Sequence, residues 1–295
     1  MLIIPANTLA EEAGNDNGIF GFGYAGGKVS MTNLVSSVGV VSTDVTGVGT
    51  GRDGLAACEY GGDKGIFAYG ATSSAVSLSN LVSNSGVVAS DVTGVGTARR
   101  FIGACSFGED KGIFGFGYTG SNVSITNLVS NSGVVATDTT GVGTIRRNIT
   151  GTEFGEDKGI FGFGYTSSNV SMTNLVSNSG VVATDTSGVG TGRGAPASLG
   201  YDDDKGIFAY GSVQEGPVAM SNLVSNAGVV ATDVTGVGTA RSNLGGCEYG
   251  KDKGIFAYGG GPISISNLVS NSGVVASDVT GVGTARRGLA SCEYG

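Results

Sequence analysis

No histidine occurs in this chain of 295 residues, and that absence removes most familiar catalytic centres. Ser–His–Asp and Cys–His nucleophilic machinery, His-bearing zinc sites and a histidine pH switch all need the imidazole. Tryptophan is absent too, and proline occurs only 4 times. No apolar run approaches the ~18 residues of a membrane-crossing helix. The start, MLIIPANTLAEEAG, lacks the basic stretch and long apolar core of a secretory leader. These absences lead us to expect a soluble, non-secreted chain, cytoplasmic or virion-associated, with no membrane contact. Charged side chains are scarce at 14 %, and the net charge is −8. An acidic chain without a basic stripe is a poor nucleic-acid binder.

Glycine is plentiful, at 56 residues, yet hydrophobic residues make up 40 %. Many of these are Val, Ile, Phe and Tyr, which favours sheet over disorder. One unit recurs six times, with the glycine of its "GIF" motif at 18, 65, 112, 159, 206 and 254, spaced 47, 47, 47, 47 and 48 apart. Every unit runs through "GIFGFGY", "VSITNLVSNSG", "VVATDTTGVGT", an arginine and a segment such as "GLAACEY". Strand-type residues with partial alternation, broken by "GGDK" and "SNSG" turns, parse as four short strands per unit. Units of ~40–50 residues with four strands point to a propeller rather than a solenoid. The expectation is therefore all-β: one six-bladed β-propeller over 14–295, four antiparallel strands per blade, preceded by an arm at 1–13.

Internal units read "GLAACEYGGDKGIFAYG" or a variant, so the small-residue strand hairpins into the "GIF" strand. The segment "GLASCEYG" at 288–295 has no such partner after it, and "NDNGIF" has none before it. The C-terminal strand is expected to join the N-terminal blade and close the ring, with "TLAEEAG" (8–14) as its weaker competitor. Closure removes an exposed sheet edge.

The order "R-x-x-LAACEYG-x-DKGIFAYGG … SNLVSNSGVVASD … GT-x-R" resembles the kelch repeat. Only Gly259-Gly260 keeps that family's glycine doublet, and the fourth-strand tryptophan is missing. The wording "DKGIFGFGY … NLVSNSGVVATDTTGVGT" is also similar to repeats in proteins of bacteriophages and other, often marine, viruses. Kelch-like order implies that "GLAACEYG" is the innermost strand, where only small residues have room. Cys58, Cys105, Cys247 and Cys292 then occupy one equivalent position, with Thr152 and Leu199 in the other two, and are read as packed free thiols. Glu59, Glu153, Glu248 and Glu293 form a partial channel ring, with Ser106 and Gly200 completing it. Hard cations favour such oxygens. The reading preferred is nevertheless that these carboxylates satisfy nearby backbone or arginine groups, so no metal and no cofactor is expected.

Asn33, Asn80, Asn127, Asn174, Asn222 and Asn267, and Asp44, Asp91, Asp138, Asp185, Asp233 and Asp278, recur in every unit. Sixfold repetition suits turns and inter-blade hydrogen bonds, not an asymmetric catalytic constellation, and no catalytic residue is assigned. Alternation of strands places the "G-x-D-K" and "SNSG" turns on one face and the variable connections on the other. Variation concentrated on one face marks a binding surface; the kelch resemblance implies partner peptides held there. All nine arginines precede the innermost strand on that side. The first of each unit reads as a structural ion pair, whereas Arg100, Arg147 and Arg287, with Phe101, Asn148 and Asn243, are the ligand-binding candidates. The expected function is non-enzymatic recognition of a protein or an anionic glycan. The alternative is a structural disc within a virion, tail or other large assembly; outside such an assembly the chain is expected to be monomeric.

Overall fold

The computed structural model describes residues 16–295. The expected arm at 1–13 and the competing strand at 8–14 lie outside the described residues. Secondary structure is all β, with no helix among the described residues. Each repeat contributes a three-stranded antiparallel sheet. In chain order these are β1 (Asn17–Gly21) with β2 (Thr32–Val35); β3 (Ala56–Tyr60), β4 (Lys64–Ala68) and β5 (Ser79–Val82); and β6 (Gly103–Phe107), β7 (Lys111–Tyr118) and β8 (Asn122–Val129). Next come β9 (Thr150–Phe154), β10 (Lys158–Gly162) and β11 (Thr173–Val176), then β12 (Ala197–Tyr201) and β13 (Lys205–Ala209). A small hairpin of β14 (Ser212–Val213) and β15 (Gly216–Pro217) precedes β16 (Ser221–Val224), which completes the β12–β13 sheet. Last are β17 (Gly245–Tyr249), β18 (Lys253–Ala257), β19 (Ser266–Val269) and β20 (Ala290–Tyr294). Strand β20 pairs with β1, in the register Ile19 opposite Cys292, so the first and last repeats share one sheet.

The middle strand of every sheet carries the "GIF" motif. Ile66 and Phe67 are fully buried, and Ile66 lies between Cys58 and Leu81 on its neighbours. Burying such a side chain contributes about 1.5–3 kcal/mol. Between sheets, aromatics meet edge to face or tilted, from Phe22–Phe67 through Tyr69–Phe114, Phe116–Phe161, Phe163–Phe208 and Tyr210–Phe256 to Phe20–Tyr258. The chain of ring contacts therefore returns to its start.

The inner strands behave likewise: β3 packs on β6, β6 on β9, β9 on β12, β12 on β17, β17 on β20, and β20 on β3. What permits this approach is the glycine of "GIF". A Cβ on Gly112 would collide with Sγ of Cys58, on Gly159 with Sγ of Cys105, and on Gly65 with Sγ of Cys292. At Gly206 and Gly254 the intruding side chains are Thr152 and Leu199. All four cysteines are free and buried.

The fourth segment of each unit differs from the strand expected there. It is held by two isolated bridges, Val82 to Val88 and Ser79 to Val92 in the second repeat, and not by a regular ladder. Four steps from Val88 to Val92 face three from Ser79 to Val82, so one residue bulges. Asn80 spans this bulge: its Nδ2 donates to the Ala89 carbonyl at 3.0 Å, taking a backbone acceptor, and to the Asp91 carboxylate at 2.9 Å.

Candidate functional site

Two loop sets lie at opposite ends of the inner strands. At one end, Asp63 accepts from Asn84, Asp110 from Asn131 and Asp157 from Asn178, so the "G-x-D-K" and "SNSG" turns do share a face. Backbone donors also link successive turns, from Gly61 to Asp110 at 2.8 Å round to Gly250 on Asp16 and Gly295 on Asp63. At the other end, bridges join the two variable connections: Asp53 with Ala71, Arg100 with Tyr118, Arg147 with Tyr165, and Tyr24 with Arg287.

This variable end closes in a collar. Gly54, Phe101, Asn148, Ala195, Asn243 and Gly288 all have positive φ, between 50° and 63°. Each donates its N–H to the carbonyl of the preceding member, Phe101 to Gly54 at 2.7 Å and Asn148 to Phe101 at 2.9 Å, and Gly54 donates to Gly288 at 2.9 Å. Glycine and asparagine suit this left-handed conformation; Phe101 and Ala195 bear strain of about 1–3 kcal/mol there. The collar surrounds a cavity of about 110 Å³, into which Phe101, Asn148 and Asn243 contribute. Three of the sequence-predicted ligand residues thus share one opening.

Directly before the collar residues Phe101, Asn148 and Gly288 come Arg100, Arg147 and Arg287. The Arg100 guanidinium lies 4.9 Å from the Phe101 ring centroid and 5.8 Å from that of Tyr118. Arg147 lies 4.7 Å from Tyr118 and 5.0 Å from Tyr165, while Arg287 faces Tyr24 at 5.6 Å. Among the described residues none of the three forms an ion pair with a carboxylate. Stacking orients each guanidinium without a carboxylate partner; Arg147 also donates from Nη1 to Asn122 Oδ1 at 3.5 Å, and the remaining N–H groups can meet an anion. Their counterparts in the other repeats are Asp53, Gly194 and Ser242; Asp53 is held by Lys28 at 3.1 Å.

The other six arginines turn inward instead of onto that face, and Arg52, Arg99, Arg146 and Arg193 pair with Asp91, Asp138, Asp185 and Asp233, as the structural ion-pair reading of the first arginine in each unit anticipates. Arg52, Arg99, Arg146, Arg193, Arg241 and Arg286 are completely buried. Arg52 donates to the Tyr69 carbonyl at 2.8 Å and to Asn80 Oδ1 at 2.6 Å, lies 4.3 Å over the Phe22 ring, and sits 3.7 Å from Asp91. Burial pushes its guanidinium down to about 10 against the pull of Asp91, so it stays charged at neutral pH. Phe22 and Tyr69, with φ of 64° and 63°, belong to a second strained set that sequence reasoning missed. Nothing in an aromatic side chain signals a left-handed backbone; the buried arginines hold it from both sides. The recurrent asparagines and aspartates complete this network: Thr50 donates to Asp91 through its N–H and hydroxyl, and Thr97 to Asp138.

Beneath the collar cavity lies one of about 30 Å³ that shares Ala57, Ser198, Gly246 and Ser291 with it. Glu153 and Glu293 line this space. Three of the four expected ring carboxylates converge: Glu153, Glu248 and Glu293 each place an oxygen within 4.8 Å of the other two. Glu59, buried on the neighbouring strand, acts on Glu248 as a like charge. Burial pushes Glu153 up to about 7, and burial with the charge of Glu153 pushes Glu293 up to about 8. Glu293 takes a hydrogen bond from its own backbone N–H, as the preferred sequence reading allows, whereas no arginine or backbone donor among the described residues acts on Glu248. Burial pushes the Cys58 and Cys292 thiols well up, so they stay protonated and inert.

Geometry therefore offers an anion-ready face and a cluster of three carboxylates, Glu248 buried and Glu153 and Glu293 half-buried; no protein-family model matches the chain, and no curated protein matches it in sequence.

Proposed function

We propose that the chain is a six-bladed β-propeller, each sheet one blade, that serves as a non-enzymatic recognition module. Its ligand is anionic and is held on the variable face. One observation carries this reading: three guanidinium groups, stacked on aromatics and without carboxylate partners, belong to the residues directly preceding Phe101, Asn148 and Gly288, which line the collar cavity. A sulfated or carboxylated glycan supplies planar anions for the guanidinium forks. An acidic protein segment is the runner-up of the same charge. Kelch-like architecture, also part of this proposal, agrees with the cyclic packing of the inner strands. Protonated, buried thiols and the lack of histidine favour binding over catalysis.

A glycan array carrying sulfated, uronic-acid and neutral oligosaccharides tests the reading. Retention of acidic glycans only, weakening as salt rises, is expected. Retention of neutral glycans alone rules out the arginine-centred site.

The structural-disc reading has one observation of its own. Val40, Val87, Val134, Val181, Val229 and Val274, at equivalent positions, are all 62–65 % exposed. Repeated apolar points suit contact with a larger particle. Concentration-dependent assembly by light scattering, lost when these valines become serine, favours that reading.

A further inference from the structure

Glu153, Glu248 and Glu293 come from separate inner strands, β9, β17 and β20. Glu248 is the informative member. It is only 7 % exposed, and its carboxylate lies over Gly200, filling the volume that a Cβ there would take. The charged groups acting on it are Glu153, Glu293, Glu59 and Asp203, all of its own sign. No hydrogen-bond donor among the described residues meets it. A buried carboxylate without a donor and facing other carboxylates is costly unless a positive charge joins it.

We propose that Glu153, Glu248 and Glu293 form a site for one hard divalent cation of the calcium type, in the space between the inner strands. Three oxygens within 4.8 Å of one another always share a point about 2.8 Å or less from each, close to the ~2.3–2.6 Å of calcium–oxygen bonds. Small closing movements of flexible glutamates supply the difference. The lining hydroxyl of Thr152 and solvent from the collar cavity can complete the coordination. Magnesium fits less well, because three carboxylates from three strands do not form a tight octahedron. Since β9, β17 and β20 belong to different sheets, the ion clamps three repeats at once. This site is distinct from the anion-binding face and stands or falls separately.

The test uses the full chain, freed of metal with chelator and studied at about pH 8 with calcium chloride or magnesium chloride as the probe. Titration calorimetry should show one calcium per chain. The melting temperature should rise by several degrees with calcium and by less with magnesium. Glu248→Gln keeps the shape and removes a charge. It should bind calcium at least tenfold more weakly and show no calcium-dependent rise, yet melt no lower than the wild type in chelator. An absent response in the wild type overturns the proposal, meaning that the carboxyl groups share protons instead. So does an equal response in Glu248→Gln, which assigns the ion to exposed acidic turns such as 202–204. Should that variant not fold, wild-type crystals grown with calcium decide: anomalous density between the three carboxylates supports the site, and its absence overturns it.

Discussion

Thr284 donates its backbone N–H and its hydroxyl to the carboxylate of Asp44, 240 positions earlier, at 3.0 and 2.6 Å. The same pair within the chain, Thr97 and Asp138, is made at 3.0 and 2.5 Å over 41 positions. First and last repeats are thus joined as internal ones are. Asp44→Ala and Asp138→Ala should each cost about 1–3 kcal/mol, from lost hydrogen bonds to a charged acceptor. Urea denaturation checks this, and a far smaller cost for Asp44→Ala contradicts equivalent joining.

Strand β20 carries a larger share of the same junction through its five paired residues. Deleting 288–295 leaves the β1 edge that pairs with β20 without its partner and breaks the collar at Gly288. Its effect on the thermal midpoint should far exceed that of deleting 1–7; the reverse order contradicts the observed pairing.

Gly112→Ala drives a methyl into Sγ of Cys58. Overpacking of this kind costs about 1–3 kcal/mol. Cys58→Ala removes the colliding sulfur, so the double variant should recover most of the loss. A double-mutant cycle with no coupling between the two positions contradicts the close approach of the inner strands.

Stability should fall on both sides of a middle pH range. Burial alone would raise Asp91, but hydrogen bonds from Thr50 and Asn80 and the charge of Arg52 outweigh it and lower its pKa. A folded pKa below the unfolded value of 3.8 gives stability that is present above that value and lost as pH falls through it. Asp44, Asp138, Asp185, Asp233 and Asp278 are lowered in the same way, which multiplies the acid loss. Glu153, raised to about 7, has the opposite sign: its contribution is full below 4.5 and is lost as pH rises through about 7. Metal-free protein melted across pH 3 to 9 should therefore be most stable between these limits, and a flat profile contradicts the assigned environments.

Much of this was legible in the sequence because repetition exposes it. Six copies of "GIF" announce the sheets, and the Cys, Thr and Leu series at position 58 announces a crowded interior. The pairing of β20 with β1 follows from matching "GLASCEYG" to its internal counterparts. Other features left no side-chain signal. The collar is made by backbone groups, and its members include Phe101 and Ala195, which do not favour a left-handed conformation. Recurrence in all six units marked the first arginines as structural, but not what they lie on; only packing shows Phe22 beneath Arg52. Convergence of Glu153 with Glu293 was not readable either, since strand spacing alone does not say how far side chains reach across the centre.

The anion-binding face is tested most directly by titrating a sulfated oligosaccharide into the wild type and into Arg100→Ser/Arg147→Ser/Arg287→Ser. Serine is what another repeat carries at this position, at Ser242, so the sheets should be undisturbed and the melting temperature nearly unchanged. Each lost charge-assisted contact is worth about 1 kcal/mol or more, so affinity should drop at least about tenfold. Equal affinity in the folded triple variant contradicts the proposed site.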